Sequence, residues 1–201
     1  MQPLRAAVPS RSLVARWPTP HGALEVREPT AEALADAAPD LAAFYNDPHN
    51  AALLCNTIVF SREEVIEFWS DARADGGRGF LLYCDGELVG DADFREMNGD
   101  EAELAVLIGP RRRQASGLGA CFVPMILALG FEELGLSSVY VAIRPRNEAS
   151  LRLFARVGFT RDEGERARAY AEEDDDVCMV LTRAAFLGRH ADIMRQIELR
   201  G

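Results

Sequence analysis

The chain has 201 residues, enough for one substantial hydrophobic core, and its 48% apolar and 27% charged composition excludes a disordered or membrane-embedded chain. A net charge of -10, from 22 basic and 32 acidic side chains, argues against broad nucleic-acid binding, which needs a basic surface, and suits a cationic partner. Cys55, Cys84, Cys121 and Cys178 are scattered and the three histidines lie far apart, so no metal-ligand spacing is present and a reducing, cytoplasmic setting with free thiols fits. Residues 1–20, with four prolines and three arginines, read as an N-terminal arm lacking the run of a secretory signal, and residues 21–201 as a single domain.

Leu24 to Arg27 is a short strand candidate. Thr30 caps a helical stripe through Leu34, Leu41 and Phe44 that Pro39 is expected to break, and 46–57 reads as a loop. Ser61 with Glu64 forms a capping box for a helix carrying Val65, Phe68, Trp69 and Ala72 on one face. The period then changes to two. Phe80–Cys84 and Leu88–Phe94 are strands joined by Asp85-Gly86, and Asn98-Gly99 turns into a third strand, Glu101–Ile108. In that strand Glu101 and Glu103 share a face with Ala105 and Leu107, while Asp91 and Asp93 share a face of its neighbour. A mostly apolar helix follows from about Gly117 to Glu133, then a strand at Ser138–Ile143, a helix at Asn147–Arg156 and a last clear strand at Val177–Thr182. A terminal helix is expected over 184–199, able to pack within one chain or between two, so a homodimer stays open.

The segment Arg111-Arg112-Arg113-Gln114-Ala115-Ser116-Gly117-Leu118-Gly119 lies between a strand and a helix. Unpaired amides and partial positive charge collect at such a junction, and glycines let backbone approach phosphate oxygens, so it suits a diphosphate. The arginines add charge-assisted bonds, although three adjacent ones cannot all point one way. The segment is neither a nucleoside-triphosphate loop nor a dinucleotide fingerprint.

Gln114 to Gly119 matches the Q/R-x-x-G-x-G/A coenzyme A signature, and Asn147 to Phe159 resembles the N-x-x-[AS]-x-x-[LF]-[YF]-x-x-x-G-F segment, of the GNAT acetyltransferases. The chain thus resembles that superfamily over about Leu24 to Thr182, with a flavour of its ribosomal-protein N-terminal acetyltransferases. The resemblance implies an α/β fold with a mixed, mostly antiparallel central sheet, helices on both faces and a splayed central strand pair. It also implies acetyl-CoA as co-substrate and an amine acceptor, on a small molecule or a protein N-terminus, with no nucleic acid or membrane partner.

By the same resemblance, Arg112, Arg113, Gln114, Ser116, Gly117, Leu118 and Gly119 would bind the cofactor's phosphates. Backbone groups around Leu107 and Ile108 would hold the acetyl-pantetheine arm, one amide polarising the thioester, and Asn147 would bond the arm or cap its helix. Phe154 stands where many relatives carry a proton-donating tyrosine, and phenylalanine has no proton to give. Glu103 leads as the base for the acceptor ammonium, with Glu101 and Asp93 as further candidates; alternatively these acids only face solvent. Residues 46–58, the Trp69 helix and the loop 164–176 are expected to shape the acceptor site. A non-catalytic acyl-CoA-binding or regulatory protein is the competing reading.

Overall fold

Two hairpins make the centre of the fold. Asp85 and Gly86 both take positive φ, as a tight turn in register with right-twisted strands requires, and they join β3 (Arg78–Cys84) to β4 (Glu87–Asn98). Gly99 turns β4 into β5 (Glu101–Ile108), with Asp91 opposite Leu107, Asp93 opposite Ala105 and Arg95 opposite Glu103. The computed structural model describes residues 12–54 and 58–201. Among them, β1 (Val14–Thr19), β2 (Gly22–Arg27), β6 (Ser138–Ile143), β7 (Thr160–Arg161), β8 (Val177–Thr182) and β9 (Glu198–Arg200) complete one sheet in the order β7-β8-β6-β5-β4-β3-β2-β1-β9.

The two residue sets of each strand bury against different helices. Phe80, Phe94, Ala102, Leu104 and Val141 pack with α4 (Leu118–Ala128), α5 (Glu148–Val157) and α7 (Arg183–Met194). On the other face, Leu81 and Leu107 pack with α1 (Ala31–Asn46) and α3 (Arg62–Ala74). The result is the mixed α/β, mostly antiparallel sheet with helices on both faces that the resemblance implies. The one parallel contact joins β5 to β6 and covers only Glu101–Glu103 with Ser138–Tyr140. Beyond that point the two strands part.

Several elements differ from expectation. Part of the expected arm is β1, held between β2 and β9; residues 1–11 lie outside the described residues. Helix α1 runs unbroken through Pro39, because the Ala35 carbonyl that Pro39 has no N–H to meet accepts a bond from Arg62 at 3.3 Å instead. The expected loop after it contains a helix, α2 (Pro48–Leu54). The apolar helix over 117–133 ends in a π-helical turn, Leu129–Glu133, where the Leu134 amide reaches back to the Leu129 carbonyl. The terminal helix over 184–199 stops at Met194, since the chain turns to pair Glu198–Arg200 with the sheet edge. A further short helix, α6 (Glu165–Arg168), brings Ala167 and Tyr170 onto Tyr140 and Cys178.

Candidate active site

The loop after β5 is fastened from below. Gln114 donates from Nε2 to the Ile108 carbonyl at 2.8 Å and to Asn50 Oδ1 at 2.7 Å. Asn50, fully buried on α2, donates in turn to the carbonyls of Phe44 and Gly109, each at 2.9 Å. Every polar atom of that amide is thereby engaged, as burial demands. Sequence reasoning missed Asn50, which carries no local signal, and it placed Gln114 on the cofactor. The side chain of Gln114 positions the loop through these two bonds.

Above this knot, the chain makes a 3-10 turn at Arg111–Arg113, and Gly117 caps α4 at φ +94, a left-handed conformation that side chains resist. Among the described residues no side chain caps α4; the Ala120 amide bonds the Gly117 carbonyl at 3.0 Å, which leaves the amides before it to meet an anion. Leu118 is buried in the core and anchors the helix start. Gly119 lets α4 approach α5, where an added Cβ would stand 3.0 Å from Leu153 Cδ2. The Ser116 hydroxyl bonds the Arg113 carbonyl. Arg112 and Arg113 both pair with Glu87, Arg113 at 2.9 Å, and these bonds hold the Glu87 carboxyl below its ordinary range.

A cleft of 310 Å³ runs through the sheet where β5 and β6 part. On the α4/α5 side it is lined by Asn147, Ser150 and Phe154. Asn147 fulfils the capping role, its side chain accepting from the Ser150 amide at 3.2 Å. Phe154 is buried edge-on against Phe159. On the α1/α3 side the lining includes Asp91, Asp93, Arg95 and Glu103. Burial pushes the Glu103 carboxyl up to about 7 against the pull of Arg95, whose Nε stands 2.9 Å away. Burial also raises Asp93, with Arg95 opposing at 4.0 Å.

Asp91 is raised to about 7, first by burial, while its bond with Tyr45 opposes the shift and Asp93 adds to it. The Tyr45 hydroxyl donates to Asp91 Oδ2 at 2.9 Å and accepts from Trp69 Nε1 at 3.2 Å. Asp91 Oδ1 is buried with no hydrogen-bond partner among the described residues. The alternation of the strands placed Asp91 beside Asp93, but nothing local marks Tyr45 or Trp69 as its supports.

Glu101 is not part of this cleft. It is buried beneath Arg166, at 2.9 Å, and the Tyr140 hydroxyl, at 3.4 Å, in an ion pair formed by a distant helix. Burial raises the Cys121 thiol, which disfavours a thiolate nucleophile. Among the described residues no cluster of His, Cys, Asp and Glu is placed to hold a metal, and no helix is long and apolar enough to cross a membrane.

The profile of the acetyltransferase (GNAT) domain family matches residues 24–160, from the second strand through α5. The chain belongs to that family. Spermidine N(1)-acetyltransferase of Escherichia coli K12 is 31% identical over 90 residues, which are 44% of this chain and 47% of the relative, so the match spans about half the length of the curated relatives. Among solved structures, Mycobacterium smegmatis RimJ in complex with CoA-disulfide superposes with a TM-score of 0.72 at 20% identity, over 92% of this chain and 96% of RimJ. Aminoglycoside acetyltransferase AAC(6')-Ib in complex with coenzyme A gives 0.67 at 19%, over 83% and 98%. Vibrio cholerae spermidine N-acetyltransferase in complex with CoA and spermine gives 0.66 at 18%, over 82% and 98%. At such identities these likenesses establish a shared GNAT fold. They favour no one branch of the family, and the ribosomal-protein flavour of the sequence is not singled out.

Proposed function

We propose that the protein transfers the acetyl group of acetyl-CoA directly to a primary amine, carried by a small molecule or a protein N-terminus. One observation carries this reading: a single cleft passes between the parted β5 and β6, from Asn147, Ser150 and Phe154 on one face of the sheet to a carboxylate-lined chamber on the other, and β5 runs straight on into the glycine loop. The diphosphate would lie on the loop around Gly117 and the start of α4, with Arg112 and Arg113 turning from Glu87 to its oxygens. The acyl arm would run beside β5. Past Glu103 that edge has no β6 partner, so main-chain groups of the 104–108 stretch can bond the arm. An amide there also donates to the thioester oxygen as negative charge develops on it.

Because β5 and β6 close at Glu103 and Tyr140, the tip of an arm entering from the loop end stops near Glu103. Glu103 takes the acceptor's ammonium proton, directly or through water, with Asp93 next to it. The freed lone pair forms the bond to the acetyl carbon, the nitrogen gives its second proton to water, and the C–S bond breaks with its electron pair leaving on sulfur. The CoA thiolate leaves as a tolerable leaving group, with a pKa near ~8.5 by analogy to cysteine. Phe154 cannot protonate it, so water does. Free thiols among the described cysteines fit a reducing compartment, and we place the protein in the cytoplasm.

Phe154 also supports the competing reading, an acyl-CoA-binding protein without turnover. A thiol-release assay over mixed amines, with product masses read by mass spectrometry, separates the two. Stoichiometric thiol and N-acetyl amine support transfer; tight acetyl-CoA binding with neither product supports the binding protein.

A further inference from the structure

The chamber on the α1/α3 side has two walls of different chemistry. One is a ladder of rings: Tyr45 meets Phe60 edge to face at 5.4 Å, and Phe60 meets Phe68 in the same way at 6.1 Å. All three line the cleft, and the ladder leads outward from Tyr45, which holds Asp91, to Phe68, which is 50% exposed. Leu54, 39% exposed, continues this apolar surface at the mouth. Large apolar side chains left open around a concave site lower their free energy when a ligand covers them.

The other wall is acidic, and two guanidiniums are shared among four of its five carboxylates. Asp93 and Glu103 face Arg95, at 4.0 and 2.9 Å. Glu172 and Asp176 face Arg144, at 3.5 and 3.4 Å. Among the described residues, Asp91 is the cleft carboxylate with no guanidinium in ion-pairing reach. Its Oδ2 is fixed by Tyr45 and its Oδ1 has no hydrogen-bond partner among those residues. Asp91 alone thus offers a carboxylate that no arginine shares, and the surface next to it is aromatic, which suits one cationic centre beside an apolar body.

We propose that the acceptor is a primary amine with one cationic centre joined to an apolar or aromatic body, its ammonium drawn in by Asp91 and its body lying on the Tyr45–Phe60–Phe68 ladder. This rests on the acetyl-transfer reading of the cleft, with Asp91 docking the ammonium that Glu103 deprotonates. Two sources share that chemistry, a free arylalkylamine and a chain end beginning with an apolar residue.

The test compares 2-phenylethylamine and a peptide beginning with leucine against ethylamine, spermidine and kanamycin. The amines are assayed for thiol release with acetyl-CoA, and for binding to the CoA complex by calorimetry. The apolar monoamines are expected to lead in kcat/KM and in affinity by about tenfold or more, a preference one well-covered apolar group supplies. Phe68→Ser should raise KM for 2-phenylethylamine about tenfold and leave ethylamine unchanged, since that amine has no ring to place. Asp91→Asn should raise KM for every amine more than it lowers kcat. Preference for spermidine or kanamycin, or an equal loss for both amines in Phe68→Ser, would overturn the proposal. Because calorimetry reads the preference without turnover, failure of acetyl transfer and failure of the preference are separate results. The peptide arm assigns the source: if it matches the free amine, chain ends are substrates; if only the free amine is bound, they are not.

Discussion

Replacing Asp91 with asparagine should make the fold less sensitive to rising pH. Asp91 is buried, has no cationic partner among the described residues, and titrates at about 7 in the fold against an ordinary 3.8. A carboxyl raised in this way holds its proton in the folded state at pH values where the unfolded chain has already lost it. The folded state therefore binds more protons between 3.8 and about 7, and stability falls as pH rises through that window. At ~1.4 kcal/mol per factor of ten, the displacement corresponds to about 4 kcal/mol across the full window, an order-of-magnitude figure. Asparagine is near in shape and can still accept the Tyr45 hydroxyl, but it does not titrate. Urea unfolding of both proteins at pH 5 and pH 8 measures the effect. The variant should gain on the wild type by roughly 2–3 kcal/mol between the two pH values, whatever constant cost its buried amide adds. Equal changes in both proteins would refute the argument, showing that Asp91 is ionised and solvated, or otherwise compensated, in the native state.

Glu103→Gln tests the proton acceptor. The wild-type kcat/KM should climb as pH rises toward and past about 7, and the variant should lose that inflection and on the order of 10²-fold in rate at pH 8, with acetyl-CoA affinity retained. An unaltered pH–rate profile would remove Glu103 from the role. Gly117→Ala forces a side chain into φ +94 at the α4 cap, so CoA affinity should drop about tenfold on a calorimetric titration; an undiminished affinity would place the diphosphate elsewhere. Asn50→Ala strips partners from the carbonyls of Phe44 and Gly109 and from Gln114, and should cost about 1–3 kcal/mol in denaturant unfolding. A neutral result would show that water replaces the amide.

How much was legible in the sequence follows from how local each cause is. Asp85-Gly86 and Asn98-Gly99 dictate their turns with their own backbones, and the period of two in β4 and β5 puts Asp91, Asp93, Glu101 and Glu103 on one face. Ser61 and Glu64 close the expected capping box between themselves. What escaped needs a distant partner. Pro39 is tolerated because Arg62 reaches Ala35, and β9 exists only because β1 offers its edge. Glu101 and Glu103 look alike in the strand, yet Arg166 covers one while the other opens on the cleft. The loop motif marked a strand-to-helix junction, but the inward turn of Gln114 depends on Asn50, sixty-four residues away in the chain.

The most direct test is a calorimetric titration of the folded protein with acetyl-CoA, repeated with the variants Arg113→Ala and Gly117→Ala. One-to-one binding that weakens in both variants is the expected result. Heat of binding that never rises above dilution in the wild-type protein would contradict the grip of the loop on the diphosphate, and the transfer chemistry with it.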